Sequence, residues 1–170
     1  KMWSHEHYGV KPDMVAFGKK TQVCGFLCGP RIDEIQDNVF RVSSRLNSTW
    51  GGTLVDMVRS GRYLEIMAEE KLLENAAARG AELLAGLESM QREFPNHVSN
   101  ARGKGLMCAF DLATGELRDK VTGKAYEEGM VVLGCGEKSI RFRPPLVIKK
   151  EELAEGLEKL RTSIKKSIAA

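Results

Sequence analysis

The amino-acid sequence predicts an α/β fold. Short apolar runs alternate along the chain with segments of helical periodicity. The longest helical stretch carries one apolar face in each of its halves. The 170 residues are 42% hydrophobic and 29% charged, the composition of a soluble globular protein long enough to bury a core.

The elements follow in chain order. Lys1 to Lys11 is an irregular polar segment, and Pro12-Asp13 marks a turn. Met14 to Phe17 is a short apolar run closed by Gly18, which suits a buried parallel strand. Val23 to Gly29 is a second strand candidate, and Ile32 to Phe40 a short helix candidate. Arg45 to Gly52 reads as a loop. From Thr53 to about Glu93 the periodicity predicts helix, with Leu54, Met57, Val58, Gly61 and Leu64 on one face of the first half. Leu73, Ala76, Ala77, Gly80, Leu83, Leu84 and Leu87 form the face of the second half. The stripe changes phase near Glu69-Glu70, where a break is expected, and Phe94-Pro95-Asn96 ends the stretch. Gly105 to Leu112, Met130 to Leu133 and Ser139 to Phe142 read as strands. Leu117 to Glu128 reads as a weak helix interrupted at Gly123, and Glu151 to Ala169 as a closing amphipathic helix.

Composition excludes several function classes. The net charge is only +3, with basic residues scattered beside acidic ones, so no nucleic-acid partner is expected. No apolar run approaches the ~18 residues of a membrane span, and KMWSHEHYG has no apolar signal-peptide core. The four cysteines, Cys24, Cys28, Cys108 and Cys135, match neither a disulfide framework nor a zinc site. Free thiols in a reducing cytoplasm, with no metal, are the expectation. His5, His7 and His97 form no catalytic or metal-binding pattern.

Three residues could carry chemistry. Lys19 directly follows the strand that ends at Gly18. Such a strand would hold its stem in the interior, at the strand end where α/β proteins bind ligands. Carbonyl chemistry at an amine needs the neutral form, which desolvation favours. A solvated pair with Lys20 is the plainer alternative. Asn47-Ser48-Thr49-Trp50-Gly51-Gly52 precedes a long helix, where hydroxyls and free N–H groups suit a phosphate; simple capping is the alternative. Arg141 and Arg143 fall on one face of a strand, and an arginine fork suits a carboxylate; a salt bridge is the alternative.

In this order the segments resemble the class III, or ω-amino-acid, aminotransferases. Pro12-Asp13-Met14-Val15-Ala16-Phe17-Gly18-Lys19 is similar to the strand leading to that family's cofactor-binding lysine. Thr49-Trp50-Gly51-Gly52 resembles its Thr-aromatic-Gly-Gly element, Arg102 to Met107 its R-G-x-G-L-M segment, and Ile140 to Leu146 its substrate-arginine strand. The resemblance implies pyridoxal 5'-phosphate as cofactor, held covalently by Lys19. It implies phosphate binding by Thr49 across a homodimer interface with shared active sites, and carboxylate binding by Arg141. Amino-acid and 2-oxo-acid substrates follow.

The resemblance implies the C-terminal part of a fold-type I transferase. Residues 1–60 would end the large cofactor domain, 61–95 would be interdomain helices, and 96–170 the small C-terminal α/β domain. The strings FGKKTQVCG, SRLNSTWGG, RGKGLMCAF and RFRPPL are most similar to members that pass the ε-amino group of lysine to 2-oxoglutarate. The acidic residue that pairs with the cofactor ring nitrogen and the aromatic that stacks on the ring have no counterpart here, so the chain alone is expected to be inactive. Another ω-aminotransferase, of ornithine or 4-aminobutyrate type, and a non-catalytic dimerisation module are the alternatives.

Overall fold

The computed structural model describes residues 1–46, 49 and 52–169. They form a mixed helix and sheet architecture in two compact units, Lys1–Lys71 and Leu72–Ala170.

In the first unit, β1 (Met14–Phe17) pairs with β2 (Gly25–Cys28), from Met14↔Cys28 to Phe17↔Gly25. The pairing is antiparallel, not the buried parallel arrangement the apolar run predicts. Only seven residues connect the strands, and a parallel return needs a crossover of roughly a dozen or more. Nothing within the unit buries the pair fully, so Met14 and Leu27 are exposed. The helix expected over Ile32 to Phe40 is instead a 3-10 turn, Pro30–Glu34, followed by further turns. Buried Asn38 explains the difference. Its Nδ2 donates to the carbonyls of Ile32 and Ile35, and its Oδ1 accepts from Phe40 N–H. An asparagine that bonds local backbone in this way competes with helix. The helix α1 (Leu54–Glu69) buries none of its residues; Leu54 and Val58 of its apolar face are 77% and 74% exposed. The break expected at Glu69-Glu70 is present, and Lys71 there takes a left-handed φ of 51°.

The second unit is built on a four-stranded antiparallel sheet of order β3-β4-β6-β5. The helix α2 (Leu72–Glu93) buries Leu72, Gly80, Leu83, Leu87 and Met90, which fall on a single helical stripe. The strand β3 (Val98–Lys104) was not expected from its sequence. VSNARGK lacks alternating apolar residues, and a bulge between Ser99 and Arg102 interrupts its register. A two-residue turn leads to β4 (Met107–Leu112), with Gly105 at φ +53°, as tight hairpins favour. Thr114 accepts the Leu117 N–H and starts α3 (Gly115–Glu127), which runs through Gly123 without the expected interruption. The edge strand β5 (Leu133–Cys135) lies C-terminal to the expected 130–133 run, and β6 (Ser139–Phe142) falls where predicted. The helix α4 (Lys150–Ala169) closes the unit.

Period-two alternation gives the sheet two different faces. Cys108, Phe110, Leu112 and Ile140 point into the core with Leu87, Met90, Val121, Leu160 and Ile164. Full burial of each large apolar side chain contributes about 1.5–3 kcal/mol. The opposite face carries Ala109, Asp111, Ser139 and Arg141. This polarity difference is what leaves Arg141 outside the core.

Candidate active site

Lys19 begins the 3-10 turn Lys19–Thr21 that leaves β1. Its φ is 60°, a left-handed conformation that costs a non-glycine residue about 1–2 kcal/mol. The turn is closed by Gln22 N–H donating to the Lys19 carbonyl at 3.1 Å. The Thr21 hydroxyl donates to the Val23 carbonyl at 2.7 Å. The preceding Gly18 leaves no room for a side chain, because a Cβ there would lie 2.9 Å from Cys24 Sγ. Lys19 is exposed rather than set in the interior, since β1 belongs to a two-stranded sheet with open faces. Among the described residues its Nζ makes no hydrogen bond or ion pair.

Thr49 lies in a turn and is exposed. Asn47, Ser48, Trp50 and Gly51, the other central members of the expected phosphate loop, lie outside the described residues. Gly52, with φ +76°, follows before Thr53 precedes α1.

Arg141 sits in the middle of β6, paired with Ala109 of β4 on one side and Leu133 of β5 on the other. Its Nε is buried and has no hydrogen-bond partner. Arg141 and Arg143 both border a cavity of about 470 Å³ whose other walls include Met130, Leu133, Pro144 and Ile148. A guanidinium nitrogen buried without an acceptor is costly, and a carboxylate is its natural complement. A cavity of about 510 Å³ in the first unit, bordered by His5, Glu6 and Asp13, does not include Lys19. The unpaired Arg141 Nε argues more strongly for chemistry than that volume does.

Sequence reasoning missed one cluster beside Arg141. Asp111 Oδ1 accepts from Arg102 Nη1 at 2.9 Å and from Ser139 Oγ at 2.5 Å, and its Oδ2 accepts from Asn100 Nδ2 at 2.8 Å. Burial alone would raise the Asp111 carboxyl. The hydrogen bonds from Ser139, Asn100 and Arg102, with the charge of Arg102, outweigh burial and hold it below the usual carboxylate range. The signal in the sequence was a lone acidic residue at an outward position of an alternating strand.

The residues suit pyridoxal 5'-phosphate. That cofactor needs a free amine for covalent attachment, hydroxyl donors for its phosphate, and a cationic group for the acid of its substrate. Lys19, Thr49 and the unpartnered Arg141 Nε are groups of those three kinds. Among the described residues no cluster of histidine, cysteine or acidic side chains could hold a metal. No described helix is long and apolar enough to cross a membrane, and all four cysteines are free.

The chain is similar to known proteins over nearly its whole length. The family model described as aminotransferase class III matches residues 1–164. The L-lysine-epsilon aminotransferase of Amycolatopsis lactamdurans is 50% identical over 163 residues, covering 95% of this chain and 36% of that protein. The human mitochondrial 4-aminobutyrate aminotransferase is 37% identical over 151 residues, covering 88% of this chain and 29% of that protein. Among solved structures, lysine aminotransferase from M. tuberculosis in the internal aldimine form superposes with a TM-score of 0.93 at 45% identity. That match covers 97% of this chain and 38% of the solved one. The chain therefore spans little more than a third of the length of these lysine aminotransferases.

Proposed function

The chain belongs to the class III aminotransferase family, and from that premise we propose that it is the C-terminal portion of an L-lysine 6-aminotransferase. The reaction moves the ε-amino group of L-lysine to 2-oxoglutarate, giving glutamate and 2-aminoadipate semialdehyde. One observation carries the reading: the free Lys19 amine, projected from a left-handed turn directly after β1. Similarity to L-lysine-epsilon aminotransferases at 46–50% identity, against 37% for the 4-aminobutyrate enzyme, supports lysine as donor.

Each residue has a role in the proposal. Lys19 Nζ holds the cofactor covalently. The same nitrogen, when free, would carry a proton away from the substrate carbon that bears the amine. When bound, pyridoxal 5'-phosphate supplies the electron sink for that proton's removal. Arg141 grips the α-carboxylate of lysine, and a carboxylate of 2-oxoglutarate in the second half-reaction, through paired charge-assisted hydrogen bonds. Thr49 donates its hydroxyl to the cofactor phosphate of a second subunit, so the active sites of a homodimer are shared.

We assign residues 1–60 to the large cofactor domain, 61–95 to interdomain helices and 96–170 to the small domain. The boundary between the compact units, at Lys71, falls inside that helical stretch. The group that pairs with the cofactor ring nitrogen must come from outside these residues, so the chain alone is inactive. The four free cysteines suit a cytoplasmic location.

The test uses the full-length protein. Wild type loaded with cofactor should show a borohydride-reducible link to Lys19, absent in Lys19→Ala, and should prefer L-lysine as donor. Persistence of the link in Lys19→Ala would overturn the assignment of Lys19. Preference for ornithine or 4-aminobutyrate would overturn the substrate.

A further inference from the structure

Between β6 and α4 the chain runs through Arg143-Pro144-Pro145-Leu146-Val147-Ile148-Lys149. The two prolines fix their own φ and carry no N–H, so the connection is stiff and cannot be held by backbone donors at those positions. Within it, Ile148 N–H donates to the Pro145 carbonyl at 3.0 Å. Arg143, Pro144, Pro145 and Ile148 border the cavity of about 470 Å³ that Arg141 also borders. The connection is thus one wall of the space beside Arg141.

Asn75 of α2 ties this wall to the body of the same compact unit. Its Nδ2 donates to the Leu146 carbonyl at 2.7 Å and to the Ile148 carbonyl at 3.1 Å. Both amide protons are used on alternate carbonyls of one connection, and two such bonds fix orientation as well as distance. Asparagine is a poor helix former because its amide competes for nearby backbone. Here the amide instead reaches backbone 71 and 73 positions away. The helix beneath it is a firm platform: Leu72 is buried, and a Cβ at Gly80 would lie 2.3 Å from the Gly105 backbone.

We propose that Asn75 is a positioning residue for substrate binding: its two-carbonyl clamp holds the 143–148 connection in place as the wall that shields the contact between Arg141 and the substrate carboxylate. The inference rests on the assignment of Arg141 to carboxylate binding. An ion pair weakens as water reaches it, because the effective dielectric rises. Without the clamp the connection moves off α2 and water enters beside Arg141, while chemistry at Lys19 is left as it was.

The experiment uses the full-length cofactor-loaded enzyme. Asn75→Ala should raise KM for L-lysine and for 2-oxoglutarate about three- to tenfold, with kcat changed less than about twofold; one net hydrogen bond corresponds to about a fivefold factor. Asn75→Asp has nearly the same size but sets acceptors against two carbonyl oxygens, so its KM should rise at least as far. It also serves as the second variant if Asn75→Ala folds poorly. Methoxyamine, which captures the bound cofactor and carries no carboxylate, should react at the wild-type rate in both variants. If Arg141→Gln raises KM for lysine but neither Asn75 variant does, the inference fails and the role of Arg141 stands. If KM, kcat and the methoxyamine rate all worsen together, Asn75 is a general structural residue and the inference is likewise overturned. If Arg141→Gln leaves KM for lysine unchanged, the carboxylate assignment itself falls.

Discussion

A methyl group added at position 80 tests how α2 sits on the sheet. In an exposed helix interior, glycine to alanine stabilises by about 0.5–1 kcal/mol, because alanine gives up less backbone entropy on folding. Gly80 is instead buried in α2. A Cβ there would lie 2.3 Å from both the carbonyl carbon and the oxygen of Gly105, and 2.6 Å from its Cα. Ordinary contact begins at 3.4 Å, so α2 and the β3–β4 turn must part by about 1 Å, enough to forfeit a quarter to a half of the dispersion contact across the seam. The obstacle is backbone, fixed by a hairpin turn at φ +53°, so no rotamer change can relieve it. Overpacking of this kind costs about 1–3 kcal/mol, and more where backbone moves. After the helix gain is subtracted, Gly80→Ala should destabilise by roughly 1–2 kcal/mol. Gly123 in α3 is the internal control, since a Cβ there meets nothing within 4 Å; Gly123→Ala should stabilise by about 0.5–1 kcal/mol. Equilibrium urea denaturation followed by far-UV circular dichroism reads both signs from the midpoints. A Gly80→Ala midpoint at or above wild type would refute the close approach of α2 to the hairpin.

Two further outcomes follow from ionisable groups. The Asp111 carboxyl is held low in the folded state, so its contribution to stability is fully present above the ordinary aspartate pKa of ~3.9. It is lost as pH falls through the lower folded value; between pH 5 and 2 wild type should therefore lose more stability than Asp111→Asn, and parallel pH curves would count against the network. Cys108 is 2% exposed, and burial pushes its thiol up to about 11. At pH 8 a thiol reagent read by mass spectrometry should label exposed Cys24 and Cys135 quickly and Cys108 only as the protein unfolds; rapid labelling of Cys108 in the native state would contradict its place in the core.

Local sequence determined the elements whose signals are local. The stripe from Gly80 to Leu87 specifies α2, because three- and four-residue spacing reaches the core only as helix. Ile140 and Phe142, followed by Pro144-Pro145, specify β6 and its end. Lys19, Thr49 and Arg141 could be singled out because amine, hydroxyl and guanidinium chemistry is carried by residue type and by neighbours in the chain. What tertiary structure decided was pairing. VSNARGK becomes β3 only because β4 is there to pair with it, and no periodicity in β3 announces this. Met14 to Phe17 looks buried by composition, yet its exposure depends on what covers it, which a strand cannot encode alone. Ile32 to Phe40 is turned out of helix by the local bonds of Asn38 to the Ile32 and Ile35 carbonyls, a competition that the spacing of apolar residues does not register. The Arg102–Asp111–Ser139 cluster joins three strands up to 37 positions apart, a relation that exists only in cross-strand register. The sequence thus named the groups capable of chemistry, and the fold decided which of them were already paired and which stayed free.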